Sequence, residues 1–196
     1  MIEGDRAVPA RAWVLALFGF LGGCTASIEG PSELTNIHVS PAYSQWLVGP
    51  IARLASASEL ESYLALRDDQ AAAAFIEEFW KRRDPYPERP GNPVAELFER
   101  RAVEADRAYS EAGYLGRRTD RGTIHVLYGA PEATEYEANP DPEGSPVEVW
   151  QYEAGHSEGL DGRRPYAAYR FVKDRDLTVL LHRVPPRPTR RSPTGL

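Results

Sequence analysis

The chain has 196 residues, a net charge of −6 and a single cysteine, with 42% hydrophobic and 27% charged residues. That is enough apolar sequence for one packed domain with tails. The acidic balance argues against a groove built on neutralising nucleic-acid phosphates, and one cysteine cannot supply an intrachain disulfide framework.

In chain order, Arg6 and Arg11 precede an apolar run over residues 12–20. A run of about ten residues suits the core of a signal peptide and falls short of the about 20 needed to span a bilayer. Leu21-Gly22-Gly23-Cys24 follows and resembles a bacterial lipobox. The resemblance implies cleavage before Cys24, diacylation of its thiol and acylation of the new N-terminus. Two or more acyl chains anchor a protein stably. With Cys24 acylated, cysteine catalysis and thiolate metal sites are excluded for the folded part. Thr25, not Asp, follows the cysteine, which suggests onward sorting to the periplasmic face of the outer membrane of a diderm bacterium. Glu3 and Asp5 are unusual in the charged head of a leader, and a start near Val8 would remove them. Residues 1–23 thus read as a lipoprotein leader, and residues 24–42, with Pro31 and many small polar residues, as a flexible tether.

The next part has helical punctuation. Ser56 and Glu59 form a capping-box pair ahead of Leu60, Tyr63 and Leu64. Asp68 or Asp69 caps a second helix with an apolar stripe of Ala72, Phe75, Ile76, Phe79 and Trp80. Asp84-Pro85 ends it, because the residue before proline is pushed out of helical geometry. Asn92 caps a third helix with Pro93 in its first turn, carrying Val94, Leu97, Phe98, Arg101 and Ala105 on one side, and Gly113 reads as its stop.

The second half reads as strands. Residues 123–128 form a β-rich run closed by Gly129, residues 147–152 alternate, and residues 134–137 suggest a short strand between them. Residues 166–172 and 177–182 flank a hairpin connection. Helices followed by strands predict an α+β domain over residues 43–184, with the helices packed on one face of an antiparallel sheet. Residues 185–196, rich in proline and arginine, read as a disordered tail.

Phe75-Ile76-Glu77-Glu78-Phe79-Trp80-Lys81-Arg82-Arg83-Asp84-Pro85, Asn92, residues 96–101, Thr119-Asp120-Arg121-Gly122, Tyr128-Gly129-Ala130-Pro131 and Glu148-Val149-Trp150-Gln151-Tyr152 come in that order. Together they resemble the GWxTD domain, a bacterial domain of uncharacterised function common in exported proteins. Arg117 stands where the tryptophan of the naming motif would be. The resemblance implies a fold over roughly residues 46–182 and carries no established activity.

No serine-nucleophile elbow and no glycine-rich phosphate loop occurs. His38, His125, His156 and His182 lack metal-ligand spacing, so neither metal nor cofactor is expected. The candidate polar cluster is Asp84, Arg101, Thr119, Asp120 and Arg121. Arg101 lies on an apolar helical face, where its charged head needs an acceptor, and an ion pair with Asp84 or Asp120 is expected. Trp150, Tyr152 and Tyr169 are the candidate partner-binding aromatics, on the premise that the sheet leaves an aromatic face uncovered. The first expectation is a non-enzymatic envelope module, bound to the membrane through Cys24 and holding an envelope protein or glycan. The alternative is an envelope hydrolase or wall-remodelling enzyme using Asp84 and Asp120 as its carboxylates.

Overall fold

A computed structural model describes residues 34–139 and 143–181. The leader, Cys24, His182 and the tail lie outside the described residues. The helical half contains α1 (Pro41–Ser44), α2 (Ile51–Leu54), α3 (Ala57–Leu64), α4 (Asp69–Lys81) and α5 (Pro93–Tyr109). A 3-10 turn (Gly116–Arg118) leads into α6 (Asp120–Tyr128), and four strands follow: β1 (Ala133–Glu137), β2 (Val147–Gln151), β3 (Ala168–Asp174) and β4 (Leu177–Leu180). The fold is α+β, helices first and an antiparallel sheet second.

The helix starts form as their caps dictate. Ser56 and Glu59 make the reciprocal capping box of α3, Asp68 accepts from Ala71 N at the start of α4, and Asn92 accepts from the backbone N–H groups of Val94 and Ala95. The side-chain amide of Asn92 also donates to the carbonyl of Trp80, joining the start of α5 to the end of α4. Phe79, Phe98, Ala105, Ile124 and Val126 are buried, whereas Phe75 and Leu97 are half-buried.

Three local expectations are corrected. The folded part reaches back into the stretch read as tether: Asn36 is buried, and its amide donates to the carbonyls of Tyr63 and Leu66 at the end of α3. That amide satisfies carbonyls that a helix end leaves without partners. Helix α5 ends at Tyr109 with Ser110 as its C-cap, and Gly113, at φ +81°, serves the following turn between Glu111 and Tyr114.

The largest correction is at residues 123–128, which are helical. Thr119 is the N-cap, its Oγ1 accepting from Gly122 N at 3.1 Å, and Gly129 at φ +87° follows the last turn. The helix is buried on opposite sides. Ile124, Leu127 and Tyr128 pack on Trp150, Tyr152, Tyr169 and Phe171 of the sheet, while Val126 packs with Phe98, Ala102 and Ala105 of α5. A helix buried on opposite sides places apolar residues too densely for its period to stand out from that of a buried strand, and tertiary burial overrides the β preference of isoleucine and valine. Close packing fixes its start: a Cβ on Gly122 would lie 1.8 Å from the Gly116 carbonyl oxygen, and one on Gly116 would lie 1.8 Å from that of Ala105.

The sheet is a meander in the order β1-β2-β3-β4. Register sets Trp150 opposite Tyr169, and Phe171 opposite both Glu148 and Leu180. That row faces α6. On the other face, Glu137 of β1 and Arg170 of β3 form a two-bond ion pair at 2.9 and 3.0 Å, with Val147 and Val149 of β2 buried between their strands.

Candidate interaction surface

The predicted polar cluster divides into separate devices. Arg101 of α5 pairs with neither aspartate. Its Nη1 donates to the carbonyl oxygens of Val126 and Leu127, at 3.2 and 2.9 Å. These carbonyls belong to the last turn of α6, the negative end of the helix dipole, so a half-buried cation is well placed there. Burial pushes the Arg101 guanidinium below its ordinary pKa, with Arg100 adding to the effect. Asp120 sits at the opposite end of α6, roughly 12 Å along the axis at 1.5 Å per residue. The expected ion pair rested on residues 123–128 being a strand, and the helix separates its partners. Asp84 instead accepts from Tyr86 N at 2.9 Å and shapes the turn after α4.

Thr119 is buried and also donates from Oγ1 to the Gly116 carbonyl. Arg121, in the first turn of α6, lies between two glutamates, with Nη2 3.1 Å from Glu111 Oε2 and Nη1 3.1 Å from Glu148 Oε2. Glu148 Oε1 accepts from the Trp150 indole at 2.7 Å. Glu111 Oε1 accepts from Thr178 N, and its Oε2 from the Thr178 hydroxyl, both at 2.9 Å. Glu111 and Glu148 were missed from the sequence. Glu148 could have been flagged by its place between two buried valines, but the link from Glu111 to Thr178 spans 67 positions and leaves no local signal.

These contacts decide what the carboxylates can do chemically. Asp84, Asp120, Glu111 and Glu148 all accept hydrogen bonds from the protein itself, and Asp84 and Asp120 share no contact. The clefts around Tyr86–Glu96 and Trp46–Arg118 are lined by neither aspartate. Among the described residues no three histidine, cysteine or acidic side chains gather as a metal site. His125 bonds through Nε2 to Glu104 at 3.0 Å, and His156 bonds to Glu132 and to the Tyr128 carbonyl.

The candidate aromatics are interior. Trp150 is 1% exposed, Tyr152 4% and Tyr169 5%. The face they share is the one that α6 covers, so they bind the helix and not a partner. Tyr152 donates its hydroxyl to the Gly129 carbonyl, and the Tyr169 hydroxyl accepts from Tyr166 N. The most accessible aromatics among the described residues are others: Tyr136 of β1 is 70% exposed and Tyr166, just before β3, 74%.

The two edges of the sheet differ. In an antiparallel strand, alternate residues turn their backbone groups to one neighbour and then to the other. On β4 the outward N–H groups are those of Thr178 and Leu180. Glu111 takes the first, and Asp120 Oδ2 takes the second at 2.6 Å. On β1 the outward groups belong to Thr134 and Tyr136, because Tyr152 N turns to β3 and sets the alternation along β2. Every residue of β1 is exposed, and among the described residues nothing pairs with that edge. Glu132, Glu135 and Glu137 make it acidic.

Compared with known proteins, the chain matches no family model, no curated protein and no solved structure.

Proposed function

We propose that this protein is a lipid-anchored, non-catalytic binding module of the cell envelope, presenting the β1 side of its sheet to a protein partner. The observation that carries the reading is the unequal treatment of the two sheet edges. The chain commits two carboxylates to closing β4 and leaves β1 open, with its own Tyr136 exposed. An open edge is a liability that folds usually cover or blunt; β1 is left uncovered, and its acidic side chains limit which strands can approach it, which suits a selective contact surface. The hydrolase alternative is the weaker reading, since Asp84 and Asp120 are both engaged by backbone N–H groups, and neither lines the clefts around Tyr86–Glu96 and Trp46–Arg118. The membrane anchor rests on the lipobox-like residues ending in Cys24. The resemblance to the GWxTD domain suits this reading, because that domain is common in exported proteins.

A photo-crosslinking amino acid placed at Tyr136 in the native envelope tests it. The expected result is a discrete protein adduct at Tyr136 that is missing when the probe sits at Tyr86, an exposed aromatic on the helical half. Adducts at both positions alike, or at neither, would reject the reading.

A further inference from the structure

Resting on that reading, we infer that β1 receives a basic, extended segment of the partner protein as a fifth strand of the sheet. Strand addition draws its affinity from main-chain hydrogen bonds and its selectivity from alternate side chains. Both ingredients are present on β1. The outward groups of Thr134 and Tyr136 supply the ladder. Selectivity comes from charge: Glu132, Glu135 and Glu137 lie within one short stretch. Arg170 offsets Glu137, and His156 offsets Glu132 at the near end, whereas Glu135 has no ion-pair partner among the described residues. An incoming strand with lysine or arginine on the face of Glu135 gains an opposite-charge cross-strand contact, and an acidic strand loses one.

Two other occupants fit less well. A second copy of this chain would bring acidic β1 against acidic β1. The chain's own C-terminal stretch is basic but carries Pro185, Pro186, Pro188 and Pro193, and proline has no N–H to donate to a ladder.

The test uses the mature chain from Cys24 in detergent micelles, isotope-labelled for amide exchange. The probes are a short blocked peptide of alternating lysine and valine, and the same peptide with glutamate for lysine. The lysine peptide is expected to slow exchange at Thr134 and Tyr136 by about tenfold or more, as newly bonded amides do. The glutamate peptide is expected to leave both rates unchanged. Glu135→Lys should weaken binding of the lysine peptide about fivefold, the upper range for an exposed charge contact. Thr134→Pro should abolish it, because an edge strand tolerates proline where the N–H faces solvent. Should that variant fail to fold by circular dichroism, Glu135→Lys still decides.

Equal binding of both peptides would overturn the inference, as would protection that avoids β1. Slow exchange at Thr134 in the free protein that is relieved by deleting residues 185–196 would assign the edge to the chain's own tail. Protection that grows with protein concentration would assign it to a second copy. Adducts at Tyr136 in the envelope without binding of the lysine peptide would sink strand addition and leave the binding-module reading standing. Peptide binding without envelope adducts would do the reverse.

Discussion

Arg83 grips Glu59 with both terminal guanidinium nitrogens, Nη1 to Oε1 at 3.1 Å and Nη2 to Oε2 at 2.8 Å. The same guanidinium lies 3.6 Å from the centre of the Phe79 ring and donates to the Leu54 carbonyl. One arginine after α4 thus joins α4, α2 and the capping box of α3.

That grip sets an acid limit. The Arg83 hydrogen bonds, with further help from Ser56 and Arg82, hold the Glu59 carboxyl down at about 2. A carboxylate held low contributes stability that is present above its ordinary range and lost as pH falls through the lowered value. Glu59→Gln should therefore reduce stability at neutral pH and flatten the acid limb between the ordinary carboxylate range and about pH 2. Urea titrations across that range, on wild type and variant, check this.

His156 sets the opposite limit. Its Nδ1 lies 2.9 Å from Glu132 Oε1, and its Nε2 lies 2.9 Å from the Tyr128 carbonyl. Both neighbours are acceptors, so the doubly protonated ring satisfies them together. Glu132 first, and then the carbonyl, raise the His156 pKa above its ordinary value, and His156 in turn lowers that of Glu132. The His156 contribution is complete below the ordinary imidazole value of about 6.5 and fades as pH rises through the raised one. His156→Gln should therefore lower the melting temperature most at pH 6 and remove the decline on the alkaline side of neutrality, where the variant and wild type converge.

Arg101 provides a stability test with an internal control. Arg101→Met strips a charged donor from two carbonyls and should cost about 2 kcal/mol, in the range for hydrogen bonds involving a charged group. Asp84→Asn retains the oxygen that accepts from Tyr86 N and should stay within about 0.5 kcal/mol of wild type. Equal losses from both, measured by chemical denaturation, would restore the Arg101–Asp84 pair that the structure replaces.

Arg121 should matter more. Removing it leaves Glu111 and Glu148 facing each other across a largely buried gap, and Arg121→Met should cost about 3 kcal/mol. A double-mutant cycle of Arg121→Met with Glu148→Gln is expected to show strong coupling, because the second change relieves the charge that the first leaves bare.

The proposed anchor has its own test. Cys24→Ser should leave the precursor uncleaved at that site and shift the protein from the membrane to the soluble fraction on fractionation. Wild-type protein that is wholly soluble and cut elsewhere would defeat the lipoprotein reading.

Elements with local signals were legible from sequence. Ser56 with Glu59, Asp68, and Asn92 with Pro93 mark helix starts within four residues of themselves, and the hairpin at Arg175-Asp176 sits between clear strands. What depended on distant packing was not. Ile124, Val126, Leu127 and Tyr128 serve a helix buried on opposite sides, and their pattern does not separate that helix from an interior strand. Two site errors follow from this one. Once the segment is a helix, Arg101 meets its C-terminal carbonyls and lies far from Asp120. The aromatic row of Trp150 and Tyr169 likewise has its cover. Alternation showed correctly that these rings share a side of the sheet, but which side faces inward is a property of α6.

The closure of β4 by Asp120 and Glu111 also bears on stoichiometry. A sheet with two bare edges can recruit neighbours indefinitely, and a membrane anchor would crowd such domains into two dimensions where runaway stacking is easiest. Here the carboxylates act as chain terminators. Two copies meeting through β1 would consume every free edge between them, so association by this route stops at a pair, and a protein bound at β1 excludes even that.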